Sequence, residues 1–196
     1  NTIASVLGLR ERGGLEIRLV SGPSHGPEGS LESRVAAEPG LLTLVPSLVR
    51  PVHPWRDVRA LSHLVRFLGQ WSPDIVHTHS GKAGILGRIA ARRAHIPVIV
   101  HTIHGPSFGP FQGVLPNLAF RTAERFVGRF TTQFVCVAHA MRDQYLAAGI
   151  GRPEQYERIF SGFAIGPFIE AAGKPAPRTR WGLAPDDFVI GMIARL

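Results

Sequence analysis

Hydrophobic positions fall into short runs of two kinds, and the two kinds alternate along the chain. Strand-like runs occur at Glu16–Val20, Leu41–Val45, Asp74–His79, Pro97–Thr102, Phe134–Val137, Tyr156–Phe160 and Phe188–Ile193. DIVHTH and PVIVHT are rich in β-branched residues and nearly continuous in apolar character, the pattern of strands buried on both faces of a parallel sheet. Between them the period changes to that of a helix. Trp55, Val58, Leu61, Val65 and Leu68 recur at helical spacing, after a proline suited to the first helical position and with Asp57 in the first turn. Ile85, Leu86, Ile89 and Ala90 define a second apolar face, with Arg88, Arg92 and Arg93 expected opposite it on the exterior. Two more helices are expected at Asn117–Phe130 and Ala140–Ala148, the latter stopped by Gly149.

Strand–helix–strand repetition of this kind predicts right-handed βαβ units and an α/β fold around a parallel sheet. Ser21–Pro39 is polar and rich in glycine and proline and reads as a loop with a short helix. Gly173–Pro177 reads as a linker. The pattern opens on a helix and breaks off in a strand, so the sequence is expected to be a fragment cut at both ends.

Composition narrows the choice of function. The 196 residues include 22 lysines and arginines against 14 aspartates and glutamates, a formal net charge of +8. Such a charge favours anionic partners, although a basic solvated surface accounts for it equally well. No apolar run reaches the length that spans a bilayer, and the amino terminus lacks the basic segment and cleavage site of a secretory signal. A single cysteine, Cys136, forms no internal disulfide and fits a reducing compartment.

In an open parallel sheet, ligands bind beyond the carboxyl ends of the strands. The loops there carry His79, Ser80, Lys82, His101, His104 and Gly105. No acidic residue occurs from Ile75 to Ala123. A glycine-rich turn leading into a helix, with a lysine beside it, suits an anionic or hydroxyl-rich ligand. His77 and His79 share one face of their strand. They also read as packed structural histidines, or as a metal pair, though the stretch supplies no carboxylate to complete a hydrolytic metal site. His101 lies within its strand and is expected to be structural, whereas His104 lies past the strand end. Lys82 reads equally as a ligand contact and as a solvated helix start. The phosphate-loop, dinucleotide and nucleophile-elbow patterns are absent. Cys136 lies mid-strand, a poor position for a nucleophile. Arg121, Arg125 and Arg129 alternate with phenylalanines, a stripe that would suit an anionic membrane or simply a packed surface helix.

The run PDIVHTHSGKAGILGRIAARRAHIPVIVHTIHG closely resembles the amino-terminal domain of glycosyltransferase family 4. VCVAHAMRDQYLAAGIGRPEQYERIFSGFAIGPF resembles the segment that closes that domain, and VIGMIARL the opening of the second. The resemblance implies the amino-terminal half of a GT-B fold: a Rossmann-like parallel sheet with helices on both faces, here without its first strand. Residues 1–172 would form this acceptor-side domain. Residues 173–196 would form a linker and the first strand of the donor-nucleotide domain. It implies that His104 contacts the donor sugar near the reacting carbon, that Gly105 and Arg195 bind the donor, and that His79, Ser80 and Lys82 line the acceptor side. Ala138 stands where the family often has serine. Ile159–Phe163 departs from the commoner Asn-Gly-Ile-Asp pattern.

The expected activity of the whole protein is therefore retaining, metal-independent transfer of a sugar from a UDP- or GDP-linked donor to a hydroxyl of a glycan or lipid-linked acceptor. No cofactor and no nucleic acid are expected. The location implied is cytoplasmic, with peripheral contact at the inner face of the cell membrane as the alternative. The fragment alone would be inactive. The alternatives are a metal-dependent hydrolase built on His77 and His79, and a non-enzymatic anion- or membrane-binding module.

Overall fold

The computed structural model describes residues 2–23, 35–79, 81–162, 165–172, 174, 178–184 and 186–191. The chain divides into two compact units, Asn1–Gly162 and Phe163–Leu196. The first opens with helix α1 (Thr2–Arg12). Strands β1 (Leu19–Ser21) and β2 (Leu42–Leu44) follow and pair in parallel. Next come α2 (Pro54–Trp71), β3 (Ile75–His79), α3 (Gly81–Arg93), β4 (Val98–Ile103), α4 (Val114–Gly128), β5 (Gln133–Cys136), α5 (His139–Ala147) and β6 (Tyr156–Arg158). Strands β3, β4, β5 and β6 form a four-stranded sheet in that order, every pair parallel. The architecture is the parallel sheet with helices on both faces that the alternating pattern predicts. In the second unit, α6 (Gly166–Ala171) is followed by a 3-10 turn at Arg178–Trp181.

Local chemistry sets the helix ends. Pro54 opens α2, the His53 ring accepts from the Arg56 N–H, and an Asp57 carboxylate oxygen accepts from the His53 N–H at 2.9 Å, so orphan donors are satisfied reciprocally. The buried side of α2 is Ala60, Leu64 and Leu68, with Leu61 and Val65 partly buried against the same core. The expected face ran too far toward the helix start: Trp55 is 78% exposed and Val58 is exposed as well, and burial begins at Ala60.

Helix α3 lies unusually close to the sheet. A Cβ at Gly84 would stand 2.5 Å from Cε1 of His101, and one at Gly87 would stand 2.9 Å from Cγ2 of Thr78. Two glycines three residues apart thus bring the helix backbone onto β3 and β4. One core joins Val45, Ala60, Leu64, Leu68, Ala90, Ala91, Ile96 and Ile99. The second joins Ile103, Phe108, Phe134, Cys136, Tyr145, Ala148, Ile150 and Tyr156.

Two expectations are corrected. Arg88, placed on the helix exterior by the sequence pattern, is fully buried. Phe188–Gly191, the described part of the last expected strand, is irregular. Most of the expected linker at 173–177 and residues 192–196, which include Arg195, lie outside the described residues.

Candidate functional site: an imidazole cluster at the carboxyl edge of the sheet

Parallel register gathers the strand ends on one side. His79 ends β3 opposite Thr102, and Ile103 ends β4 opposite Cys136. His104 is the first residue beyond β4. Its Nε2 lies 3.0 Å from Nδ1 of His79, a hydrogen bond between two imidazoles. The His79 ring stacks on His77 at 4.4 Å between centroids and on His104 at 5.3 Å. His77 Nε2 bonds Thr102 Oγ1 at 2.7 Å. His79 and His104, expected on the acceptor and donor sides, therefore share one rim, at the ends of strands that run the same way.

Electrostatically the cluster is neutral. Burial holds the imidazoles of His77 and His104 below the ordinary value. For His79, burial and the neighbouring rings of His77 and His104 bring it down to about 3. A bond between two imidazole nitrogens needs one to donate and one to accept, which double protonation would break. At neutral pH the edge therefore presents uncharged ring N–H donors and ring-nitrogen acceptors, suited to sugar hydroxyls.

Lys82 sits in the first turn of α3 with its ammonium 2.5 Å from Oδ1 of Asp57 and 2.7 Å from the Pro51 carbonyl. The acid-free stretch 75–123 is thus acid-free only along the chain. Asp57 comes to it from the first turn of α2 and takes up the lysine charge. Gly105 is exposed, with open space where a side chain would project. Ser80 and Arg195 lie outside the described residues.

His101 is structural, as expected. It is buried against the edge of Phe134, and its Nδ1 lies 2.9 Å from Thr78 Oγ1. Burial, aided by the nearby Arg88 charge, keeps its pKa well below the ordinary value. The Cys136 thiol closes β5 rather than lying mid-strand, yet it is buried and burial raises its pKa. Among the described residues, no group of three histidine, cysteine, aspartate or glutamate side chains could hold a metal ion.

Sequence reasoning missed a buried polar chain behind the rim. Arg88 Nη2 donates to Glu124 Oε2 at 2.7 Å, with both side chains 0% exposed. The other Glu124 oxygen accepts from Ser107 Oγ at 2.9 Å, and Ser107 Oγ lies 3.3 Å from the Tyr145 hydroxyl. One signal was available: Gly84, Ile85, Arg88 and Ala91 share a helical face, so the arginine falls in line with buried small and apolar residues.

The parallel sheet with its exit-edge site defines the amino-terminal half of a GT-B protein. Solved structures agree on this fold: a UDP-N-acetylglucosamine 2-epimerase (TM-score 0.60, 15% identity, 86% of this chain and 47% of the other) and MurG from Acinetobacter baumannii (TM-score 0.52, 11% identity, 83% and 41%). The model of the glycosyl transferase 4-like domain matches residues 5–160, and the chain belongs to that family. It is 34% identical over 153 residues to UDP-Gal:alpha-D-GlcNAc-diphosphoundecaprenol alpha-1,3-galactosyltransferase of Escherichia coli, covering 78% of this chain and 40% of that protein. It is 26% identical over 161 residues to the putative glycosyltransferase EpsD of Bacillus subtilis, covering 78% and 41%. The chain thus spans about two fifths of the length of these curated relatives.

Proposed function

We propose that this chain supplies the acceptor-side half of a retaining glycosyltransferase, and that the whole protein moves a sugar from a UDP- or GDP-linked donor to an acceptor hydroxyl. The observation that carries this reading is the His79–His104 pair on the carboxyl edge of the sheet. His104, beyond the strand and beside open Gly105, is the group that would face the donor sugar. A neutral imidazole there donates or accepts a hydrogen bond at a sugar hydroxyl without trapping the departing diphosphate in a tight ion pair. In the transfer, the bond from the anomeric carbon to the diphosphate oxygen breaks. A bond from that carbon to the acceptor oxygen forms on the same face. The acceptor proton passes to the leaving diphosphate, since Asp57 and Glu124 are already engaged by Lys82 and Arg88. Hydrogen-bond donors aimed at the growing charge lower the barrier by several kcal/mol, about 3 for a single well-placed donor. Arg195 is the residue the family likeness offers for the diphosphate. No metal is required by this scheme.

The acceptor in this reading is lipid-linked, as the name of the Escherichia coli relative says of that enzyme's substrate. Exposed apolar side chains support it. Val52, Trp55 and Val58 crown the start of α2, and Phe111, Val114, Leu115 and Leu118 crown the start of α4. Both helix starts lie at the carboxyl edge of the sheet, and Arg50, Arg56 and Arg59 are exposed beside the first group. An interfacial tryptophan with arginines around it suits the headgroup layer of an anionic bilayer. The arginine stripe on α4 is less available for that role. Arg125 Nε is spent on the Ala148 carbonyl, and Arg121 is partly buried. No described helix is long and apolar enough to cross a membrane.

The test is a screen of UDP- and GDP-sugars with the whole protein and polyprenyl-diphosphate-linked sugar acceptors, reading product and anomeric configuration. Transfer with retention, unaffected by chelators, supports the reading. Hydrolysis without transfer, or transfer with inversion, overturns it.

A further inference from the structure

We propose that Glu124, held by Arg88, is a positioning residue for His104: it anchors Ser107 and thereby fixes the loop that presents the imidazole to His79. The proposal rests on the reading of His104 as the group facing the sugar.

The loop after β4 is pinned at both ends. Upstream, Ile103 is paired in the sheet with Cys136. Downstream, residues 107–109 are held by side chains from the rest of the loop and from α4 and α5. Ser107 Oγ donates to Glu124 Oε1, and the Ser107 carbonyl accepts from Gln112 Nε2 at 2.8 Å. The Phe108 carbonyl accepts from Gln144 Nε2 at 3.0 Å, and the Gly109 N–H donates to Asn117 Oδ1 at 2.8 Å. Only His104, Gly105 and Pro106 lie between the two fixed ends. The proline ring locks its own φ and biases Gly105 toward extended backbone. With Ser107 fixed, the backbone freedom left around His104 lies at Gly105, and the bond to His79 sets where the imidazole stands.

The ionic character of the anchor gives it direction. A carboxylate only accepts, so the single Ser107 proton must point to Glu124. The Tyr145 hydroxyl, a phenol whose pKa burial pushes up to about 12, must then donate to Ser107 Oγ. The donors converge on the carboxylate: tyrosine donates to serine and serine to Glu124 Oε1, while Arg88 donates to Glu124 Oε2 from the other side. Burying two charges is costly, and a purely mechanical pin of the same volume could be apolar at less cost. The pair also runs back to the sheet. Arg88 Nε donates to the Gly84 carbonyl at 3.0 Å, on the helix turn packed against His101.

Ser107→Ala in the whole protein removes the anchor without leaving a bulky gap. Nitrogen-15 histidine NMR reads whether the His79–His104 bond survives, and steady-state kinetics read transfer. The expected result is a His104 titration moved up toward 6.5, and kcat lowered about tenfold to a hundredfold with donor KM changed less than twofold. The urea midpoint should fall modestly, because the buried Glu124 Oε1 loses its partner, with the variant still folded at neutral pH. Should Ser107→Ala not fold, Glu124→Gln, which keeps the shape and removes the charge, must give the same His104 shift. An unchanged His104 titration in the folded variant overturns the proposal whatever the activity. A shifted titration with undiminished kcat upholds the positioning role and instead overturns the reading of His104 as the sugar-facing group.

Discussion

Acid should loosen this domain well before its carboxylates titrate. The imidazoles of His77, His79, His101 and His104 are all held below their ordinary pKa of 6.5 in the folded chain, His79 down to about 3. The unfolded chain therefore binds more protons than the folded one between those limits. A group depressed in this way contributes no penalty above pH 6.5 and a growing one as pH falls. From pH 7.5 to pH 5, an imidazole kept neutral by the fold costs about 2 kcal/mol. His79 keeps some contact with solvent, which screens its share to about 1–2 kcal/mol, and the buried His101 adds in the same direction. Against a total of roughly 5–15 kcal/mol for a typical domain, the loss is easily read. Urea unfolding followed by tryptophan fluorescence at pH 7.5, 6.5, 5.5 and 5 should show midpoints falling steadily. His79→Asn, which keeps a hydrogen-bonding group for His104 but does not titrate, should flatten part of that slope. Equal stability at pH 5 and 7.5, or a slope untouched by His79→Asn, would refute the account of a neutral imidazole cluster.

Three further outcomes are expected. Arg88→Met strands the Glu124 carboxylate in the interior and should destabilise by about 3–5 kcal/mol, while the double change Arg88→Met/Glu124→Leu should recover most of it; a double variant as weak as the single one would contradict the pairing. Gly84→Ala forces a methyl against the His101 ring and should cost about 1–3 kcal/mol, read as a lowered thermal midpoint; an unchanged midpoint would mean α3 does not sit so close. Trp55→Ser with Leu115→Ser should lower sedimentation of the whole protein with phosphatidylglycerol vesicles several-fold while leaving its unfolding midpoint within about 0.5 kcal/mol of the parent; unchanged sedimentation would remove α2 and α4 from the membrane reading.

The order of elements and the parallel sheet were legible in the sequence because both depend on local pattern. β-branched runs and helical spacing alternate with little interference, and DIVHTH and PVIVHT sit within a residue or so of the strands they form. The rim histidines were legible for the same reason, since parallel strands deliver their ends to one edge. Charge pairing was not. Asp57 meets Lys82 across 25 positions of chain, and Glu124 meets Arg88 across 36. A survey of acids along 75–123 cannot see a carboxylate that arrives from another helix. Exposure of Trp55 and Val58 escaped the periodicity because the period marks a face and not where along the helix the core ends. The donor half of the cleft is carried by the family likeness alone.

The central claim is that His104 faces the reacting sugar, and its most direct test is the transfer rate of whole protein carrying His104→Ala. The account predicts kcat lowered by about two orders of magnitude, with the fold and nucleotide affinity retained. A variant that transfers sugar within threefold of the parent would contradict it.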